Sequence, residues 1–139
     1  MTNAPLVARK LAILGEHLTR LRTRRPSALA TYLADSLLQD AIALSIVVVV
    51  QEATDIALHI ASDEGWEVAT TFRDAFLVLA KHAVLTPELA DRLGATAQLR
   101  NRIAHGYATV DAERLWNELP AGIKTFEELS AVVARFLEG

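Results

Sequence analysis

The chain contains no cysteine, and that one absence removes several chemistries together. Thiolate zinc sites, disulfide frameworks and cysteine nucleophiles all require the missing side chain. A reducing, cytoplasmic setting is the expectation that fits. An excess of basic charge is also lacking: the net charge is −3 and the pI about 5.8. A broad electrostatic grip on nucleic acid normally needs a basic face, so only a small local basic site is left open. The longest apolar run, Ala41 to Val50, covers ten residues between Asp40 and Gln51-Glu52. A bilayer span takes about 20 residues, so this run is expected to be a buried core segment and no membrane association is expected. Arg9 and Lys10 interrupt the first apolar stretch, which therefore lacks the core of a signal peptide. Prolines (4) and glycines (6) are few and fall at the ends of periodic segments.

What the chain has in quantity is apolar surface: 52% hydrophobic residues and a mean hydropathy of +0.25 over 139 residues. The length suits one domain, 1–139, burying roughly 68–70% of its unfolded surface without staples. A domain of that size does not hide so much apolar material alone, so a partner surface is expected, most simply that of a symmetric homodimer.

The periodicity is helical. Val7, Leu11, Leu14, Leu18 and Leu21 alternate spacings of four and three, which predicts a first helix from about Pro5 to Arg24. Arg20, Arg22, Arg24 and Arg25 crowd its end, either compensating the helix dipole or forming a phosphate-contacting patch. Ser27 reads as the N-cap of a second helix through Ser62, bent near Asp35 and about 50 Å long if continuous. Four consecutive valines, Val47 to Val50, favour a strand locally, but the flanks LLQDAIAL and QEATDIALHIA follow the 3.6 period. An apolar middle on all faces predicts burial in the bundle and against another subunit. A third helix starts near Thr71, with Asp74 in the acidic place of a capping box, and ends near His82. Thr86-Pro87-Glu88 starts a fourth that stops at Gly106, and Asp111 caps a last stretch through Phe136, interrupted at Pro120. The predicted fold is all-α, an up-and-down bundle of about five helices.

The chemistry concentrates in LRNRIAHGY, Leu99 to Tyr107. Asn101 and His105 are four apart and share a helix face, and Arg102 and His105 are three apart. Arg100 precedes His105 by five, about 140° round, so the two meet only if the helix frays or both flank a groove. One reading is structural: cations at a helix C-terminus followed by a glycine cap. The other is phosphate chemistry on RNA, in which an arginine holds a phosphodiester and a histidine near neutral pKa moves a proton. One histidine does not act as base and acid at once, and a two-fold dimer would bring a second copy to the same cleft. Gln51, Asp55 and His59 form a polar ladder on the second helix, read as a satisfied seam or an Asp55–His59 pair. His17 and His82 read as surface or boundary residues; Trp66, Trp116, Phe72, Phe76 and Phe126 read as packing. No metal-ligand spacing, Gly-rich phosphate loop or Ser-His-Asp arrangement is visible, so neither metal nor cofactor is expected.

Arg100-Asn101-Arg102-Ile103-Ala104-His105-Gly106-Tyr107 resembles the Arg-Asn-x-x-x-His-x-Tyr motif of HEPN-domain toxins, the HepT branch of bacterial toxin–antitoxin pairs. The surrounding FRDAFLVLAKHAVLTPELADRLGATAQLRNRIAHGY is similar to that family's short helix, turn and motif helix. QEATDIALHIA resembles the aspartate-bearing stretch of its long second helix, and the resemblance spans Tyr32 to Leu137. It implies a metal-independent endoribonuclease, a HEPN-like homodimer with two motifs facing across the interface. It also implies a minimal nucleotidyltransferase antitoxin that binds the toxin and transfers AMP to the motif tyrosine. Carried over, Arg100 and His105 are the catalytic pair and Asn101 supports them. Asp55 faces the motif and orients Arg100 or Arg102, and Tyr107 accepts the modification. Pro120 and the four-valine run depart from the family pattern without removing a functional residue. A different class of reading is a non-catalytic helical module that presents a substrate or nucleotide to a partner nucleotidyltransferase. The Arg100, His105 and Tyr107 trio favours the enzyme.

Overall fold

The computed structural model describes residues 1–106 and 111–139, and among these the elements are six helices and no strand. They are α1 (Ala4–Arg24), α2 (Leu29–Leu33), α3 (Ser36–Asp63), α4 (Phe72–Lys81), α5 (Pro87–Gly106) and α6 (Ala112–Leu137). The all-α expectation holds, with one helix more than the sequence suggested.

The centre of the bundle is α3, packed by α1, α4, α5 and α6. Val7, Leu14, Leu18 and Leu21 of α1 are buried against it, four of the five residues in the predicted stripe. The two helices run antiparallel: the Thr2 hydroxyl donates to Glu64 Oε1 and the Asn3 amide to Asp63 Oδ2, tying the start of α1 to the end of α3. All four valines lie within α3, where Val49 and Val50 are fully buried; tertiary packing overrides their local strand preference. As a whole α3 is long and apolar enough to cross a membrane by length and composition, a point hidden by counting only its ten-residue run. More than half of its most apolar stretch is buried inside the bundle, as in the core helix of a globular protein.

Three boundaries differ from expectation, the first being that Ser27 does not cap α2, whose N-cap is Ala28 with no side-chain hydrogen bond. The predicted helix from Ser27 to Ser62 is broken: α2 ends at Leu33 and α3 begins after Asp35, whose Oδ1 accepts from the Leu38 amide at 3.0 Å. The Gln39 side chain folds back to donate to the Tyr32 and Leu33 carbonyls, so both helix ends at the break are satisfied. Conversely, Pro120 does not interrupt the last helix, which is continuous from Ala112 to Leu137. Proline lacks the N–H that would reach the carbonyl four residues back, Trp116. That carbonyl instead accepts from Arg25 Nε at 3.1 Å, while the Arg25 guanidinium lies 3.9 Å over the Trp116 ring and Trp116 Nε1 donates to the Pro26 carbonyl. Arg25 thus repairs the proline defect from the cap that ends α1.

The remaining starts follow their caps. The Thr71 hydroxyl accepts from the Asp74 amide and the Thr86 hydroxyl from the Leu89 amide, while Asp111 Oδ1 accepts from the Arg114 amide. The Asp74 carboxylate accepts from Thr70 rather than closing a full capping box. α4 ends in a Schellman turn, with Val84 N bonded to Leu79 O and Ala83 N to Ala80 O, which puts Ala83 at φ 62° where glycine is usual. The loop from α3 to α4 is pinned by Trp66, stacked on His82 at 4.1 Å.

Candidate active-site groove

Helix α5 carries the motif in its last two turns, and α4 packs along it. Leu89, Ala90, Leu93 and Ala97 bury one face of α5, and Arg92 ties it to Glu128 and Thr125 of α6. Gly94 allows close approach to α4: a Cβ there would meet Arg73 Cγ at 3.0 Å, so the arginine stem lies across the bare backbone. Arg73 continues to Asp91 at 3.7 Å, an exposed ion pair.

Between α3, the start of α4 and the end of α5 lies an open groove of about 530 Å³. Arg100, Asn101 and His105 of α5, Thr70 to Arg73 at the start of α4, and Thr54 and Leu58 of α3 line it. The Arg100–His105 question is thereby answered: the pair, about 140° apart on the helix, flank one groove, with Asn101 between them. Arg102 is exposed and is not among the residues lining it.

Arg100 is half-buried, yet no carboxylate among the described residues pairs with it. Its Nε is buried without a hydrogen-bond partner, Nη1 donates to Asn101 Oδ1 at a long 3.4 Å, and Cζ stands 4.9 Å from the Phe72 ring centroid. An arginine held this way keeps its positive charge uncompensated. His105 and Asn101 are exposed to the groove. An arginine, an amide and an imidazole at one open concavity suit a phosphodiester that must be held while a proton moves.

Other expected residues are placed differently. Within the protomer Asp55 does not meet Arg100 or Arg102, nor does it pair with His59. Its Oδ1 accepts from Gln51 Nε2 at 3.1 Å and its Oδ2 lies 3.4 Å from Lys10 Nζ on α1, which also reaches Glu52. The cause is geometric: the Gln51–Asp55 stripe runs along the edge of α3 that borders α1. The cluster at the end of α1 also serves the fold. Arg20 pairs with Glu16, Arg22 with Glu127, and Arg25 with the Trp116 carbonyl and ring. His17 is half-buried, its Nδ1 3.1 Å from the buried Ser45 hydroxyl; burial and then Arg20 lower its pKa. His82 lies 2.6 Å from Glu67, and hydrogen bonds from Lys81 and His82 hold the Glu67 carboxyl down to about 2. Tyr107 lies outside the described residues. Phe72, expected to be packing, instead faces the groove; its place directly after the Thr71 cap was the available signal.

The fold and groove define an all-helical bundle protein with an arginine, an amide and an imidazole at one open concavity. The family model described as "Ribonuclease HepT-like" matches residues 7–133, and the chain belongs to this family. It is similar to the tRNA nuclease HepT of Aphanizomenon flos-aquae, 28% identical over 91% of this chain and 87% of the relative. It is also similar to the mRNA nuclease HepT of Shewanella oneidensis, 27% identical over 71% of this chain and 74% of the relative. Among solved structures, a tri-AMPylated Shewanella oneidensis HEPN toxin in complex with MNT antitoxin superposes with a TM-score of 0.88. At 23% identity, over 97% of this chain and 99% of that one, the likeness is one of fold.

Proposed function

We propose that the chain is the toxin of a HEPN/MNT toxin–antitoxin module, a metal-independent endoribonuclease acting as a homodimer. The observation that carries this is the groove where Arg100, Asn101 and His105 converge, with no carboxylate on the arginine among the described residues. His105 of one protomer takes the proton of an RNA 2′-hydroxyl, and the 2′-oxygen attacks the adjacent phosphorus. Arg100 stabilises the charge gathering on the phosphoryl oxygens, and Asn101 orients the phosphate. The bond to the 5′-oxygen breaks, and His105 of the partner subunit returns a proton to that leaving oxygen. The products are a 2′,3′-cyclic phosphate and a 5′-hydroxyl. Arg102 serves as a supporting charge for the neighbouring strand. Asp55 supports from a distance, by keeping Lys10 and Gln51 in place along α3.

The dimer reading is supported by a stripe on α3. Leu37, Ala41, Leu44, Val48, Gln51, Asp55 and Leu58 recur at alternating four and three, and all remain exposed or half-exposed. Leu37 is 80% exposed and Leu44 64%. Its apolar positions form a helix-packing seam without a partner among the described residues, while Asp55, at its edge, meets Lys10 of α1. Leu58 also lines the groove, so a second copy on this seam would stand at the groove's rim.

Neutralisation by a nucleotidyltransferase antitoxin that adenylylates Tyr107 is supported by the shared fold of the AMPylated toxin. Tyr107 follows His105 by two residues. A phosphate and a bulky base there would oppose RNA by charge and by volume. The reading also implies a cytoplasmic site of action.

The test is incubation of wild-type and His105→Ala protein with total RNA in EDTA, with new 5′ ends mapped and their chemistry determined. New 5′-hydroxyl ends with wild type alone are expected. No cleavage by wild type of unmodified intact mass would instead favour a non-catalytic module serving a nucleotidyltransferase.

A further inference from the structure

Arg100 presents a problem that its own helix does not solve. A phosphate-binding arginine must be held in place, because a free side chain of this length samples many rotamers. The usual tether is a carboxylate, but a carboxylate would neutralise the charge that the phosphoryl oxygens need. Among the described residues Arg100 has no such partner; its hydrogen bond to Asn101 is long, and Nε is buried with none. What does touch it is the Phe72 ring, with Arg100 Cζ 4.9 Å from the ring centroid. That lies within the roughly 6 Å over which the negative face of an aromatic ring attracts a cation. An aromatic face holds a guanidinium without cancelling its charge, and it leaves the in-plane N–H edges free to donate.

Phe72 is itself firmly placed. It is the first residue of α4, directly after Thr71, whose hydroxyl accepts from the Asp74 amide at 3.0 Å. Neighbouring Ala75 and Phe76 are buried in the core and fix the helix that carries it. The ring lines the same groove as Asn101 and His105.

We propose that Phe72 is a positioning residue: its ring seats the Arg100 guanidinium so that the arginine meets the phosphate in its reactive state. This rests on the reading of Arg100 given above. Since the arginine acts most strongly on charge that develops during reaction, a poorly seated guanidinium lowers kcat more than it raises KM.

The experiment replaces Phe72 site-specifically with mono-, di- and trifluorophenylalanine in the full-length protein. Fluorine drains the ring's negative face and leaves its shape almost unchanged. RNA cleavage is followed alongside Phe72→Tyr, Phe72→Leu and Arg100→Ala. The expected result is a stepwise fall in kcat along the fluorine series, reaching about tenfold, with KM within about twofold and an unchanged melting temperature. Phe72→Tyr retains activity, and Phe72→Leu loses about as much as the trifluoro form. A flat fluorine series with Arg100→Ala inactive overturns this inference alone, leaving Phe72 a packing residue. Full activity in Arg100→Ala overturns the parent reading and this inference with it.

Discussion

The contact between Arg25 and Trp116 makes a prediction that separates folding from substrate binding. Arg25 donates from Nε to the carbonyl that Pro120 leaves without a helical donor, and stacks its guanidinium on the ring of the same residue. A hydrogen bond from a charged donor contributes about 1.5–3 kcal/mol, and a cation–π contact about 0.5–2 kcal/mol. Both groups are half-buried, so the low ends apply, and Arg25→Met is expected to cost about 2 kcal/mol. For a chain of this size that corresponds to a fall in Tm of roughly 6–8 °C. Pro120→Ala should stabilise by about 1–2 kcal/mol, less than the roughly 3 kcal/mol of an unrepaired helical proline, because Arg25 already satisfies the carbonyl. In the Pro120→Ala background the new amide reaches the Trp116 carbonyl itself. Arg25→Met should then cost only about 1 kcal/mol, a coupling of about 1 kcal/mol between the cap of α1 and a residue within α6. Urea and thermal unfolding of the four proteins, followed by far-UV circular dichroism, measure every corner of the cycle. An equal cost in both backgrounds would refute the repair argument. Lost RNA cleavage at unchanged stability would return Arg25 to a phosphate-contacting role.

Three further outcomes are expected. Leu44→Glu puts a charge into the exposed α3 seam, and sedimentation should show dimer giving way to monomer, with the dissociation constant raised at least about a hundredfold; an unchanged dimer would move the interface elsewhere. The folded pKa of His17 lies below its unfolded value of 6.5, so the unfolded chain binds the extra proton. Its contribution is therefore complete above pH 6.5 and declines as the pH falls towards the lowered folded pKa; His17→Gln should flatten that stretch of the stability profile, and a parallel profile would count against the assignment. Ala83→Gly relieves a left-handed alanine that ends α4 and should raise stability by about 1 kcal/mol, read from the urea midpoint, whereas a loss would show that the turn carries no strain.

How much of this was legible in the sequence depends on how local each feature is. Thr71, Thr86 and Asp111 cap their helices as read, because a cap is an arrangement within four residues. The break at Asp35 was masked by unbroken apolar periodicity, and Gln39 completes it with a side chain that pattern reading treats as filler. Pro120 was read as an interruption because its repair comes from Arg25, far away in the chain. The same division runs through the site. Arg100, Asn101 and His105 share two helical turns, so their convergence on one groove follows from spacing once the groove exists. Asp55 sits on a helix with neighbours on several sides, and spacing alone did not tell that Lys10 was the nearer cation. Phe72 was hidden for a deeper reason. An ion pair announces itself by opposite charges, so a reader looking for what holds Arg100 searches the carboxylates. The group that touches it carries no formal charge, comes from another helix, and has the composition of ordinary core. Such a partner is nonetheless what the proposed chemistry favours, because an arginine that must face a gathering negative charge is best held by something that leaves its own charge intact.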